Sequence, residues 1–166
     1  MSDVAWEIAH SIDANASPAF AWSYMTSVAN WDDPPAKFEL DGPFAVGSSG
    51  TTRMPGQEPL RWHIRRISPM KMYTLEMTLD RAAMSFEWRF DRLTDRQTRL
   101  TQHIVLKGEN AAAYVMQVQS AFISSLSAGM NRIAAAMERA EASATESQNH
   151  DSARKVLPSS CSDSRT

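Results

Sequence analysis

NAAAYVMQVQSAFISSLSAGMNRIAAAMERAE, from Asn110 to Glu141, carries apolar residues at three- and four-residue steps: Tyr114, Val118, Phe122, Leu126, Met130, Ile133 and Met137. Asn110 stands where an N-cap belongs, and Ala111, Ala112 and Ala113 favour helix. No proline interrupts the run. The spacing predicts one helix of about thirty residues, roughly 45 Å long at 1.5 Å per residue, with one apolar stripe. A stripe that long needs a cover, and what precedes it is mostly strands. The expectation is an α+β fold in which a curved antiparallel sheet wraps around one long C-terminal helix.

The strands show themselves by alternation. Val4–Asp13 puts Trp6, Ile8, His10 and Ile12 on one face. Ser17 and Pro18 open a short helix, as cap and first helical residue, with Phe20, Ala21, Tyr24, Met25 and Val28 on its buried side. A break near Thr26–Asn30 allows two short helices there, and Pro34-Pro35 ends the region. Lys37–Asp41 and Gly47–Met54 are short strand candidates, with Gly50 a candidate bulge. After the turn Pro55–Pro59, Leu60–Ile67 alternates Leu60, Trp62 and Ile64 against Arg61, His63 and Arg65. Met72–Leu79 sets Tyr73, Leu75 and Met77 on one side. Met84–Leu93 does the same with Phe86, Trp88 and Phe90, and Arg99–Lys107 with Leu100, Gln102, Ile104 and Leu106. Period-two runs joined by short polar turns indicate an antiparallel meander with one wet face.

The chain has 166 residues, enough for one domain with a core. An apolar fraction of 43% and a charged fraction of 22% are ordinary for a soluble protein. A net charge of -2 gives no footprint for nucleic acid or an anionic membrane, and no apolar run suits membrane insertion. The first residues lack a basic-then-apolar leader, so a cytoplasmic location is expected. Residues 142–166 are serine-rich without aromatics, and are expected to form a disordered polar tail after a domain spanning 1–141. The one cysteine, Cys161, falls in that tail and makes no internal disulfide or metal motif. No phosphate loop, nucleophile elbow or zinc spacing is present, so no cofactor is expected. Oligomeric state is not legible.

Three local patterns carry a resemblance. They are Trp6-Glu-Ile-Ala-His-Ser-Ile-Asp-Ala14, then Ser17-Pro-Ala-Phe-Ala-Trp22, then Val28-Ala-Asn-Trp31. The Gly42-Pro-Phe44, Gly47 and Gly50 spacing and the Thr98–Thr101 strand start agree with them. Over about residues 4–141 the sequence resembles the START-like helix-grip superfamily (SRPBCC), in its polyketide cyclase/dehydrase and lipid-transport branch. Two departures are the longer strand-to-helix element at Asn15-Ala-Ser17 and Ala21-Trp22 in place of Val-Trp. The resemblance implies an apolar cavity between sheet and long helix. It implies binding of a lipid, polyketide or aromatic compound or, alternatively, a cyclase, aromatase or dehydratase reaction in the same cavity.

In such a fold the inward faces line the cavity. The candidate ligand-binding residues are Trp62, Tyr73, Met77, Phe86, Trp88, Gln102, Ile104 and Phe122. His10, Tyr73 and Gln102 break the apolar rule, and a buried polar group needs a partner in protein, water or ligand. His10 and Tyr73 are the candidate catalytic residues for proton transfer, and Gln102 suits a ligand carbonyl or hydroxyl. Each also has a plainer role as a hydrogen-bonded core residue. His63 and His103 fall on the outward faces, away from His10. The outward arginines Arg61, Arg65, Arg66, Arg89 and Arg99, among Glu76, Glu87 and Asp91, are expected to form cross-strand ion pairs on a solvated face. A third reading, a partner-binding module with a filled core, would show an exposed apolar patch.

Overall fold

A computed structural model describes residues 3–31 and 33–154. One antiparallel sheet of seven strands has the order β1-β7-β6-β5-β4-β3-β2. Its strands are β1 (Val4–Ala14), β2 (Lys37–Asp41), β3 (Ser49–Arg53), β4 (Leu60–Ser68), β5 (Met72–Leu79), β6 (Ala82–Thr94) and β7 (Gln97–Lys107). The first strand alone leaves the meander, crossing to pair with the last. Between β1 and β2 lie α1 (Pro18–Met25) and a 3-10 turn, Val28–Asn30. These are the two short helical pieces expected, and Ser17 caps α1 by accepting the Phe20 N–H at 3.2 Å.

The helix after β7 differs from the single continuous one that its periodicity predicts. It opens as a 3-10 turn, Ala111–Tyr114, continues as α2 (Val115–Phe122), and resumes after 123–125 as α3 (Leu126–Arg154). The interruption falls on Ile123-Ser124-Ser125, where a β-branched residue and two serines hold helix weakly. The Ser125 hydroxyl donates to the Ala121 carbonyl at 2.6 Å, a local bond that competes with the helical ladder. Asn110 does not cap through its side chain; its amide donates to the Asp80 carbonyl at 3.2 Å and ties the helix start to the β5–β6 turn. The helix also runs past Glu141, through 142–154. The remainder of the expected tail, with Cys161, lies outside the described residues.

The apolar stripe faces the sheet as expected. Val118, Leu126, Met130, Ala134 and Met137 are buried, and Phe122 meets Phe86 edge-on at 5.9 Å. Two carboxylates fasten the middle of α3. Glu138 accepts the Asn15 N–H at 2.8 Å, and Glu141 accepts the Ser17 N–H at 3.1 Å, each on the β1–α1 connection. The outward face carries cross-strand pairs: Arg65–Glu76 joins two of the residues expected to pair, Arg99 pairs with Asp13, and Arg53–Glu39 and His103–Glu7 lie outside that expectation. The hydrogen bond from Arg99 holds the Asp13 carboxyl below its usual range. Arg89 instead pairs along its own strand, with Glu87.

Gly50 is not a bulge. It sits in regular register between Leu40 and Trp62. What it supplies is room: a methyl group there would overlap the six-membered ring of Trp62. That ring cannot easily withdraw, because its Nε1 donates to Thr52 Oγ1 at 3.1 Å and it packs on Trp31 at 5.7 Å. The bulges lie elsewhere, between Val4 and Trp6, Ile64 and Arg66, and Arg92 and Thr94. The one at Arg65 turns Ile67 inward opposite Tyr73. Replacing Gly50 with alanine is expected to lower the unfolding free energy by about 1–3 kcal/mol, the range for forced overpacking. Urea denaturation reads this directly, and unchanged stability would contradict the packing.

Candidate functional site

Register decides which inward residues meet. His10 of β1 lies opposite Gln102 of β7. Gln102 lies opposite Trp88 of β6, and Trp88 opposite Tyr73 of β5. The three polar inward residues and Trp88 therefore form one row across four adjacent strands. The neighbouring row is Ile8, Ile104, Phe86, Leu75 and Ile64. Side chains directly opposite in an antiparallel pair sit about 4.5–5.5 Å apart at Cβ, so His10 and Gln102 can act on one group.

Burial divides the row. Tyr73 is fully buried and Trp88 is 6% exposed, whereas His10 and Gln102 are half-buried. Neither His10 nor Gln102 has a hydrogen bond or ion pair among the described residues. No fully buried polar side-chain atom among those residues lacks a partner, so the free groups of this pair face open space. Around them Trp6, Ile8, Ile12, Phe86 and Phe122 are also half-buried. The partly covered part of the inner face is thus the edge strand β1 with Gln102 and Phe86 beside it, next to the buried Leu100, Ile104 and Trp88, and it holds two side chains with unspent hydrogen-bonding capacity.

Tyr73 is placed differently. Its hydroxyl donates to the Met25 carbonyl at 3.4 Å, and its ring contacts those of Phe44 at 5.1 Å, Phe90 at 6.0 Å and Trp22 at 6.2 Å. Burial pushes its phenol well above the ordinary range, so it stays protonated. The row separates it from His10 by two intervening strands. Trp22, Phe44 and Phe90 are the partners that sequence alone did not assign to it; alternation marks Phe90 as inward, but nothing local marks the other two.

Trp62 and Met77 lie on β4 and on the central strand β5. Beyond the His63–Glu76 pair the ladder between β4 and β5 stops, and a groove of about 440 Å³ opens there, reached by Leu60, Trp62, Met77 and Leu79. Phe86, Trp88, Gln102, Ile104 and Phe122 do not line it. His63 and His103 face outward, and His103 is bonded to Glu7 at 2.9 Å. The Pro55–Pro59 segment is the exposed β3–β4 connection.

A seven-stranded antiparallel sheet gripping a long C-terminal helix, with short helices after the first strand, defines a helix-grip protein. The solved structures it is similar to share that fold. Norcoclaurine synthase from Thalictrum flavum, a point mutant in complex with a transition state analogue, matches with a TM-score of 0.66 at 12% identity, covering 85% of this chain and 98% of that one. The same enzyme in complex with dopamine and hydroxybenzaldehyde gives 0.64 at 14% identity, covering 86% and 88%. An aromatase/cyclase from a Streptomyces species gives 0.62 at 18% identity, covering 81% and 94%. A search of the curated proteins finds no significant match. Residues 5–138 match the family described as polyketide cyclase / dehydrase and lipid transport, and the chain belongs to that family.

Tyr73→Phe removes a hydroxyl committed to the Met25 carbonyl, which keeps the Trp31 indole N–H at 2.9 Å. The expected result is a stability loss of about 0.5–1.5 kcal/mol, the worth of one hydrogen bond, with ligand response unchanged. A variant of unchanged stability that no longer binds ligand would contradict this placement.

Proposed function

We propose that the protein binds a small hydrophobic molecule, aromatic, polyketide-like or lipid-like, between the inner sheet face and the C-terminal helix. His10 and Gln102 receive its polar group, and Phe86, Trp88, Ile104 and Phe122 hold its apolar body. Tyr73, Trp62 and Met77 serve as packed wall. The observation that carries this reading is the register of His10 and Gln102, both half-buried on an apolar face, with neither side chain bonded to another described residue. A carbonyl or hydroxyl placed there gains two hydrogen bonds that the protein does not make with itself. The family, and the aromatic compounds held by the norcoclaurine synthase structure, favour the same class of ligand. A cytoplasmic location goes with this reading. No helix among the described residues is long and apolar enough to cross a membrane.

A cyclase, aromatase or dehydratase is the second reading. What favours it is the same imidazole, since a histidine beside a bound carbonyl can donate or accept a proton. Tyr73 does not complete an acid–base pair with it, because its hydroxyl is committed to Met25. Binding therefore ranks above catalysis.

Naphthol, an aromatic ring with one hydroxyl, is a suitable probe, and tryptophan fluorescence reports its binding. His10→Ala and Gln102→Ala are each expected to weaken binding roughly three- to tenfold, one lost hydrogen bond apiece, with unchanged melting temperature. Equal affinity in the wild type and both variants would overturn the assignment.

A further inference from the structure

The groove between β4 and β5 is a second opening in the molecule, lined by Ser49, Arg61, His63 and Thr78 beside apolar residues, and the β4–β5 ladder does not extend across it. Ile64 spends both backbone groups on the β3 side: its N–H donates to the Ser48 carbonyl at 2.9 Å, and its carbonyl accepts the Gly47 N–H at 2.8 Å. Alternation then turns the backbone groups of His63 and Arg61 toward β5. The register that pairs His63 with Glu76, if continued, would set Arg61 opposite Thr78. It does not continue. Arg61 and Thr78, both exposed, present N–H and carbonyl groups to the groove instead of to each other.

The side chains around this slot are a set of apolar residues, the hydroxyl-bearing Ser49 and Thr78, and Arg61 and His63. Leu60, Trp62, Met77 and Leu79 give it an apolar wall. Arg61 stands 3.6 Å from Asp41, and Arg65 is bonded to Glu76, so the nearby arginines already have counter-charges. A charged ligand finds no uncompensated arginine here. The volume of about 440 Å³ falls within the range of small-molecule sites, about 300–1,000 Å³.

We propose that this slot is a second ligand site, for a small uncharged amphipathic molecule with a carboxamide head. A carboxamide both donates and accepts, as the strand missing from the slot would. Its N–H and carbonyl groups bond to Arg61 and Thr78, and its tail lies against Leu60, Trp62, Met77 and Leu79. The site lies between the central strand β5 and its neighbour β4, with β7 and β6 standing between β5 and the edge strand β1 that carries His10, so it does not depend on the reading given to His10 and Gln102.

The test is a titration of the full chain with hexanamide, followed by backbone amide NMR shifts, with hexanoate and hexylammonium as charged counterparts. Hexanamide is expected to shift the amides of residues 60–63 and 77–79, and to bind at least about tenfold more tightly than either ion. Thr78→Trp fills the slot from an exposed position, and Leu60→Glu places a charge in its wall; each is expected to abolish these shifts in a chain whose other resonances stay put. His10→Ala is expected to leave them intact. Shifts confined to the surroundings of His10 and Gln102 would overturn the slot site while leaving the first site standing. No shift at 60–63 and 77–79, or equal binding of all three compounds, would overturn it as well.

Discussion

One helix cannot cover seven strands. A helix with its side chains is about 10 Å across, and seven strands spaced about 4.8 Å apart present a face about 30 Å wide. The alternation of the strands nevertheless makes that whole face apolar. The shortfall has to be met by other parts of the chain, by curvature, or by something bound. At one end the chain meets it: α1 and the segment carrying Phe44 close over Tyr73, Phe90 and Leu100, and residues there are fully buried. Along the edge strand β1, and at Gln102 and Phe86 beside it, it is left partly unmet, and there His10 lies.

The break at 123–125 belongs to the same constraint. A straight helix fastened by Glu138 and Glu141 at the β1–α1 connection, and by Asn110 at the β5–β6 turn, must span the sheet between two fixed points. The interruption on Ile123-Ser124-Ser125 divides that span into α2 and α3. Phe122, the last residue of α2, still reaches Phe86, while Ile123 and Met116 remain exposed. The helix is fastened at Asn110 and at Glu138 and Glu141, and between those points it buries Val118, Leu126, Met130, Ala134 and Met137.

Most of the fold was legible because period two and period 3.6 are local. The strands from Leu60 to Lys107 alternate cleanly, and Ser17-Pro18 announces its helix. The bulge at Arg65 was not legible, since a bulge is a count of residues on one strand against its partner and leaves no mark on either alone. Gly50 invited the wrong explanation for the same reason: its need for glycine comes from Trp62, twelve residues away in sequence. The site was half legible. Alternation placed His10, Gln102, Trp88 and Tyr73 inward, but only register made them a row. Part of that register was within reach, because the two-residue turn Asp80-Arg81 pairs Leu79 with Ala82 and hence Tyr73 with Trp88. The pairing of β1 with β7 joins the two ends of the sheet's chain and follows from no local turn. Asn110 shows the opposite failure, a residue of the right type for a cap that the fold uses to hold a turn.

The central claim is that the uncovered part of the inner face exists to hold an apolar molecule. Native mass spectrometry of the purified protein, with organic extraction of whatever dissociates, tests it most directly. The account predicts an additional mass, released by extraction as a small apolar compound, and its loss when His10 and Gln102 are both replaced by alanine in a folded chain. A protein that carries no bound mass and takes up none from a panel of aromatic and lipid-like compounds would contradict it, and would mean that the inner face is simply packed core.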